Sequence, residues 1–110
     1  MEFIEIIKLE VKRIRVKIKL YGPSKKIVGG SGTFFLEFEE DRTFLPHILR
    51  KLIEMWPALK PIICETQECT SVASHIVMIV NGTAVPDKSF NIFEVKENDL
   101  VIFSPFVVGG

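Results

Sequence analysis

The residues of this 110-residue chain best placed to do chemistry are its last ones, FSPFVVGG from Phe103 to Gly110. Gly109 and Gly110 pack nothing and favour no backbone conformation, and a carboxylate follows them. Without Cβ atoms, such a pair threads a narrow tunnel and lets backbone approach a nucleotide closely. From Pro105 to Gly110 an extended tail reaches about 20 Å. A projecting carboxylate free of side chains is what an external enzyme needs in order to activate it. The expected chemistry therefore sits at Gly110 with Gly109 beside it, and a partner supplies it.

Other reactive residue types offer less. Cys64 and Cys69, separated by four intervening residues, match neither a thioredoxin-type C-x-x-C nor half of a four-ligand zinc set. They read as two ordinary loop thiols, with a local disulfide as the alternative, and no metal site is expected. The GGSGT stretch after Lys25 and Lys26 fails as a phosphate cradle, because the glycines precede a strand and no lysine follows them. It also fails the G-x-S-x-G pattern, with Thr33 where the last glycine belongs. His47 and His75 have no evident carboxylate partner, so a self-contained active site is not expected. His47 reads as a solvated helix-face residue and His75 as a strand-edge one.

The elements that position the chain end follow from periodicity. Ile14, Val16, Ile18 and Leu20 alternate with Arg15, Lys17 and Lys19, the period-2 pattern of a strand with one buried face. Residues 1 to 10 either continue that strand through a bulge or form a short helix. YGPSKKIVGGSG, residues 21 to 32, is turn-rich and reads as a long loop. TFFLEF then pairs back as a hairpin. In FLPHILRKLIEMW, Leu45, Ile48, Leu49, Leu52 and Trp56 recur at helical spacing, with Thr43 as expected N-cap and Pro57 as stop. HIVMIV reads as a strand covered on both faces, Asn81-Gly82 as a type I′ turn, TAV as a short return strand, 86 to 99 as turns, and LVIFSPF as the closing strand. A right-handed crossover from the second strand through the helix to a parallel neighbour gives an α+β, β-grasp domain. Four to five strands of mixed sheet clasp one main helix. The whole of 1 to 110 is one domain, with an N-terminal extension over about 1 to 10 and a protruding tail over 105 to 110.

Composition bounds the rest. At 47% hydrophobic and 25% charged residues the chain falls in the globular range. Its net charge is zero, yet eight of the fourteen Lys and Arg residues lie within residues 1 to 26, a polarity that suits a charged protein partner. Nucleic-acid binding is disfavoured, because Phe34, Phe35 and Phe38 sit in an otherwise acidic stretch rather than among the basic residues. The start MEFIEIIKLE carries acids where a secretory signal needs a basic segment, and no run is long and apolar enough for a membrane span. The expected location is the cytoplasm.

HIVMIVNGTAV and VKENDLVIFSPFVVGG resemble the end of the small subunit of molybdopterin synthase, in the ubiquitin-like sulfur-carrier family (MoaD/ThiS). That family shows an Asn-containing turn, an acidic turn and an ending in which Phe, and Pro two residues on, precede a terminal Gly-Gly. Here Glu97-Asn98-Asp99 stands for the acidic turn, and Phe103, Pro105, Gly109 and Gly110 match the ending, the resemblance covering about residues 11 to 110. It implies a carrier without its own active site. An E1-like adenylyltransferase using ATP and magnesium forms an acyl-adenylate at Gly110, and a sulfur donor enzyme then leaves a thiocarboxylate. The molybdopterin synthase large subunit supplies the catalytic residues for transfer to a pterin precursor. Phe103, Pro105, Phe106, Val107 and Val108 are the expected partner-binding residues, with Phe103 alternatively a core residue. The related alternatives are a protein modifier joined through Gly110, or a carrier for tRNA thiolation or the thiamine pathway. A non-catalytic interaction domain with an incidental tail is the third reading.

Overall fold

The structure, a computed structural model, describes residues 12–105. Its main sheet has five strands. β1 (Ile14–Leu20) and β2 (Thr33–Phe38) form the antiparallel hairpin. β4 (Ile76–Val80) and β5 (Thr83–Ala84) form a second hairpin, and β7 (Leu100–Pro105) closes the sheet. The spatial order is β2-β1-β7-β4-β5. β7 is therefore central, parallel to β1 and antiparallel to β4.

The alternation that announced β1 is borne out: Ile14, Val16, Ile18 and Leu20 are buried while Arg15 and Lys17 are exposed. Beneath that face lies the main helix, here α2 (Leu45–Met55), with Leu45, Ile48, Leu49 and Leu52 buried against the sheet. Phe103 and Val101 of β7, Met78 and Val80 of β4, and Leu36 and Phe38 of β2 complete the core. This is the expected mixed sheet clasping a helix. Asn81 and Gly82 turn the second hairpin with φ of 50° and 87°, the two positive values a type I′ turn requires.

Five expectations need correction. The 21 to 32 loop contains a helix, α1 (Pro23–Val28), with Pro in its first turn and Ile27 and Val28 packed on the core. Six residues that turn only Ile27, Val28 and the polar Ser24 inward leave no periodic apolar signal, so composition alone read as turn. The parallel neighbours are β1 and β7: the crossover from β2 through α2 to β4 passes over two strands. Thr43 is not the N-cap. It pairs with Val95 as part of β3 (Thr43–Phe44) against β6 (Glu94–Val95), a two-stranded sheet hidden in the turn-rich 86 to 99 stretch, and Phe44 takes the cap position without a side-chain bond. β4 is buried on one face only, Val77 and Ile79 being half-buried on the other. Finally, Cys64 and Cys69 form a disulfide, with Cα atoms 4.9 Å apart, within the range a bridge spans. It closes the loop after α3 (Lys60–Ile63), next to an isolated bridge between Cys64 and Val72. No helix among the described residues is long and apolar enough to cross a membrane.

Candidate functional site at the end of the central strand

Because β7 has a strand on each side, it is held to its last described residue. Leu20 is opposite Phe103 in the parallel ladder, and Ile76 is opposite Pro105 in the antiparallel one. Beyond Leu20, the Tyr21 N–H still donates to the Phe103 carbonyl at 3.1 Å. The chain reaching Pro105 thus leaves from a braced position at one pole of the sheet. Phe106, Val107, Val108, Gly109 and Gly110 lie outside the described residues, as does the N-terminal extension of residues 1 to 10.

Phe103 is 1% exposed, the core placement that the sequence offered beside a docking role. Its place in the alternation of β7 aims the ring inward, so it holds the strand that carries the end. Pro105 is half-buried at the strand terminus.

The opposite pole is fixed by the acidic turn. Asp99 accepts from Asn81 Nδ2 and from the Lys96 N–H, each at 2.9 Å, while Asn81 Oδ1 accepts from the Leu100 N–H at 2.9 Å. Glu97 Oε1 accepts from the Arg15 N–H at 2.7 Å, and the Asn98 N–H donates to the Arg15 carbonyl at 2.8 Å. Asn98 takes a positive φ of 68° there, as short polar side chains tolerate. One turn thereby joins the starts of β1 and β7 to the β4–β5 hairpin.

Between the poles, the outer face of the sheet carries Val77, Ile79, Leu100 and Ile102, all half-buried, and no described element covers it. Arg15, Lys17 and Lys19 run along its β1 side. The Arg15 guanidinium stands 4.1 Å from the centre of the Phe35 ring and Lys17 Nζ 5.9 Å from it. Phe35 is 46% exposed. The sequence reading kept aromatic and basic residues apart because it looked along single strands; the β1–β2 ladder interleaves them across strands. Phe35 is engaged by those cations, and the middle of the face is aliphatic, which suits a protein surface better than bases.

His47 does have a carboxylate partner, contrary to expectation: its Nδ1 lies 3.1 Å from Glu40 Oε2 and 3.1 Å from Thr43 Oγ1. Both partners address the same nitrogen. A relay to a nucleophile needs the two ring nitrogens to serve different groups, so this cluster ties α2 to the β2–β3 connection without activating Thr43. His75 is exposed immediately before β4. Among the described residues no group of three His, Cys, Asp or Glu side chains is placed to hold a metal ion.

No protein-family model matches the chain, and no curated protein matches it. Solved structures do. The HVO 2177 protein of Haloferax volcanii superposes with a TM-score of 0.71 at 19% identity, over 89% of this chain and 88% of that one. Small archaeal modifier protein 1 of H. volcanii gives 0.68 at 19% identity, over 86% and 99%. A Pyrococcus furiosus chain described as molybdopterin converting factor subunit 1 gives 0.62 at 17% identity, over 86% and 99%. The fold shared with them is the ubiquitin-like β-grasp.

Proposed function

We propose that this chain is a ubiquitin-like carrier whose Gly110 carboxylate is activated by an E1-like enzyme. In this reading it is the sulfur-carrying small subunit in molybdopterin synthesis. The observation that carries it is that the central strand, braced on both sides up to Pro105, leads in sequence through Phe106, Val107 and Val108 to Gly109-Gly110. A rigid domain that presents its end from the middle of its sheet is a handle. The outer aliphatic face, rimmed by Arg15, Lys17 and Lys19, gives the activating enzyme something to grip, and the positive rim favours an acidic partner.

The chemistry is borrowed. The Gly110 carboxylate attacks the α-phosphorus of ATP, expelling pyrophosphate, and magnesium on the partner offsets the phosphate charge. The resulting acyl-adenylate has AMP as leaving group. Attack by a hydrosulfide-equivalent nucleophile from a sulfur donor enzyme breaks the acyl–phosphate bond and leaves a thiocarboxylate, which the large subunit of molybdopterin synthase would pass to the pterin precursor.

Attachment to a lysine amine is the second reading, favoured by the likeness to small archaeal modifier protein 1. It shares the adenylation step and differs only in the nucleophile. Deleting Gly110 tests the shared step. The variant is expected to keep its melting temperature, because the end lies beyond the core strand, and to lose ATP–pyrophosphate exchange with an E1-like enzyme. Exchange at the full-length rate by the variant would refute the proposal.

A further inference from the structure

The backbone joining β1 to α1 crosses directly beside the last described residue of β7. Gly22 stands there with φ +70° and ψ −144°, a combination open to little besides glycine. A Cβ built on it would lie 2.6 Å from Cγ of Pro105 and 3.3 Å from its Cδ. The first distance is far inside van der Waals contact, so the Pro105 ring occupies the place where any other residue would put its side chain. The turn that holds Gly22 is itself tied on two sides. Tyr21 N–H donates to the Phe103 carbonyl, and Lys25 N–H donates to the Gly22 carbonyl, each at 3.1 Å. α1 is anchored in turn by Ile27 and Val28 on the core.

Pro105 contributes its own restriction, since its ring fixes φ near −65°. With the ring seated on Gly22, Pro105 itself, from which the last five residues follow in sequence, is held in place. We infer that Gly22 is a positioning residue for activation of Gly110: by lacking a side chain it seats Pro105 and so aims the chain end. This role rests on the activation reading above. An enzyme that must align a terminal carboxylate with a nucleotide gains from a preset departure, because less orientational freedom is lost on the way to reaction.

Two variants separate this from a merely structural role. Gly22→Ala adds the methyl group that meets the ring. Pro105→Ala removes the ring while leaving Gly22 intact, so it keeps the proposal testable if Gly22→Ala folds poorly. Both are to be assayed in the full chain by ATP–pyrophosphate exchange with an E1-like adenylyltransferase of the same organism. Gly22→Ala leaves every expected partner-binding side chain in place, so its KM for the chain should stay constant while kcat falls, by up to about a hundredfold if the carboxylate is misplaced by an ångström; Pro105→Ala, which alters an expected contact residue, is read by kcat alone. A nuclear Overhauser contact between Gly22 Hα and the Pro105 ring should be present in the parent chain and absent from Pro105→Ala. Loss of folded protein alone would instead lower the effective substrate concentration and raise apparent KM at constant kcat, which would overturn the inference. So would parental kcat in two folded variants, with the activation reading left standing. Failure of the parent chain itself to be adenylated would overturn both.

Discussion

Asp99 shows how a single side chain can matter to function without touching it. Its two carboxylate oxygens hold Asn81 and the Lys96 backbone, and its carbonyl accepts from the Lys17 N–H at 2.9 Å. Replacing it with alanine removes the two side-chain bonds and keeps the third. Charge-assisted bonds of this kind are each worth about 1.5 to 3 kcal/mol, and partial exposure places the loss toward the low end. Asp99→Ala should therefore lower stability by about 3 kcal/mol in urea unfolding, with adenylation kinetics unchanged at temperatures where the variant is folded. The sequence displayed this turn as a motif, Glu97-Asn98-Asp99, and displayed Asn81-Gly82 as a turn. It did not display that the two meet, because the hydrogen bonds between them connect positions 18 residues apart. Gly22 was equally silent: its requirement for a missing side chain comes from Pro105, 83 positions along the chain by subtraction of the two numbers.

Elements were legible where burial imposes a period. β1, β2, α2 and β7 each align several apolar residues on one face, and the sequence placed them to within a residue or two. α1, the β3–β6 pair and the turns after α2 were not legible, since elements of two to six residues present too few side chains to the core to establish any period. Their stability comes from tertiary contacts. α2 is the element on which the grasp depends, and Leu52 is fully buried within it. Leu52→Ala should destabilise by about 2 to 5 kcal/mol, measured by thermal or urea unfolding. The Cys64–Cys69 bridge acts more locally. A bridge closing so short a loop restricts the unfolded chain by about 2 kcal/mol, so reduction should lower the melting temperature by several degrees. It should leave the β1–β7 ladder intact by amide exchange, since the loop lies outside that ladder. Sequence spacing alone left the bridge undecided because thiols five positions apart reach each other only if the chain between them turns back, as it does here around Cys69 with its φ of 57°.

As a whole the molecule divides its labour between a buried face that holds it together and an outer face that no described element covers. Ile79 and Ile102 are neighbours on adjacent strands of that outer face. Substituting Ile79 by serine removes little from the core, so stability should change by less than about 1 kcal/mol. If the activating enzyme grips this face, KM for the chain should rise about tenfold, the opposite kinetic signature to that expected at Gly22. Reversing the rim charge with Lys17→Glu should slow association and flatten its dependence on salt. The account as a whole stands on Gly110 receiving its reactivity from another protein. Intact mass spectrometry of the chain isolated from its own cell, with fragmentation to locate any change, addresses that directly. Exchange of one oxygen for sulfur at Gly110 is the predicted result, and branched peptides linking Gly110 to lysine would move the account to its modifier form. A Gly110 carboxylate that stays unmodified in the cell and is refused by every E1-like enzyme of that organism would contradict it.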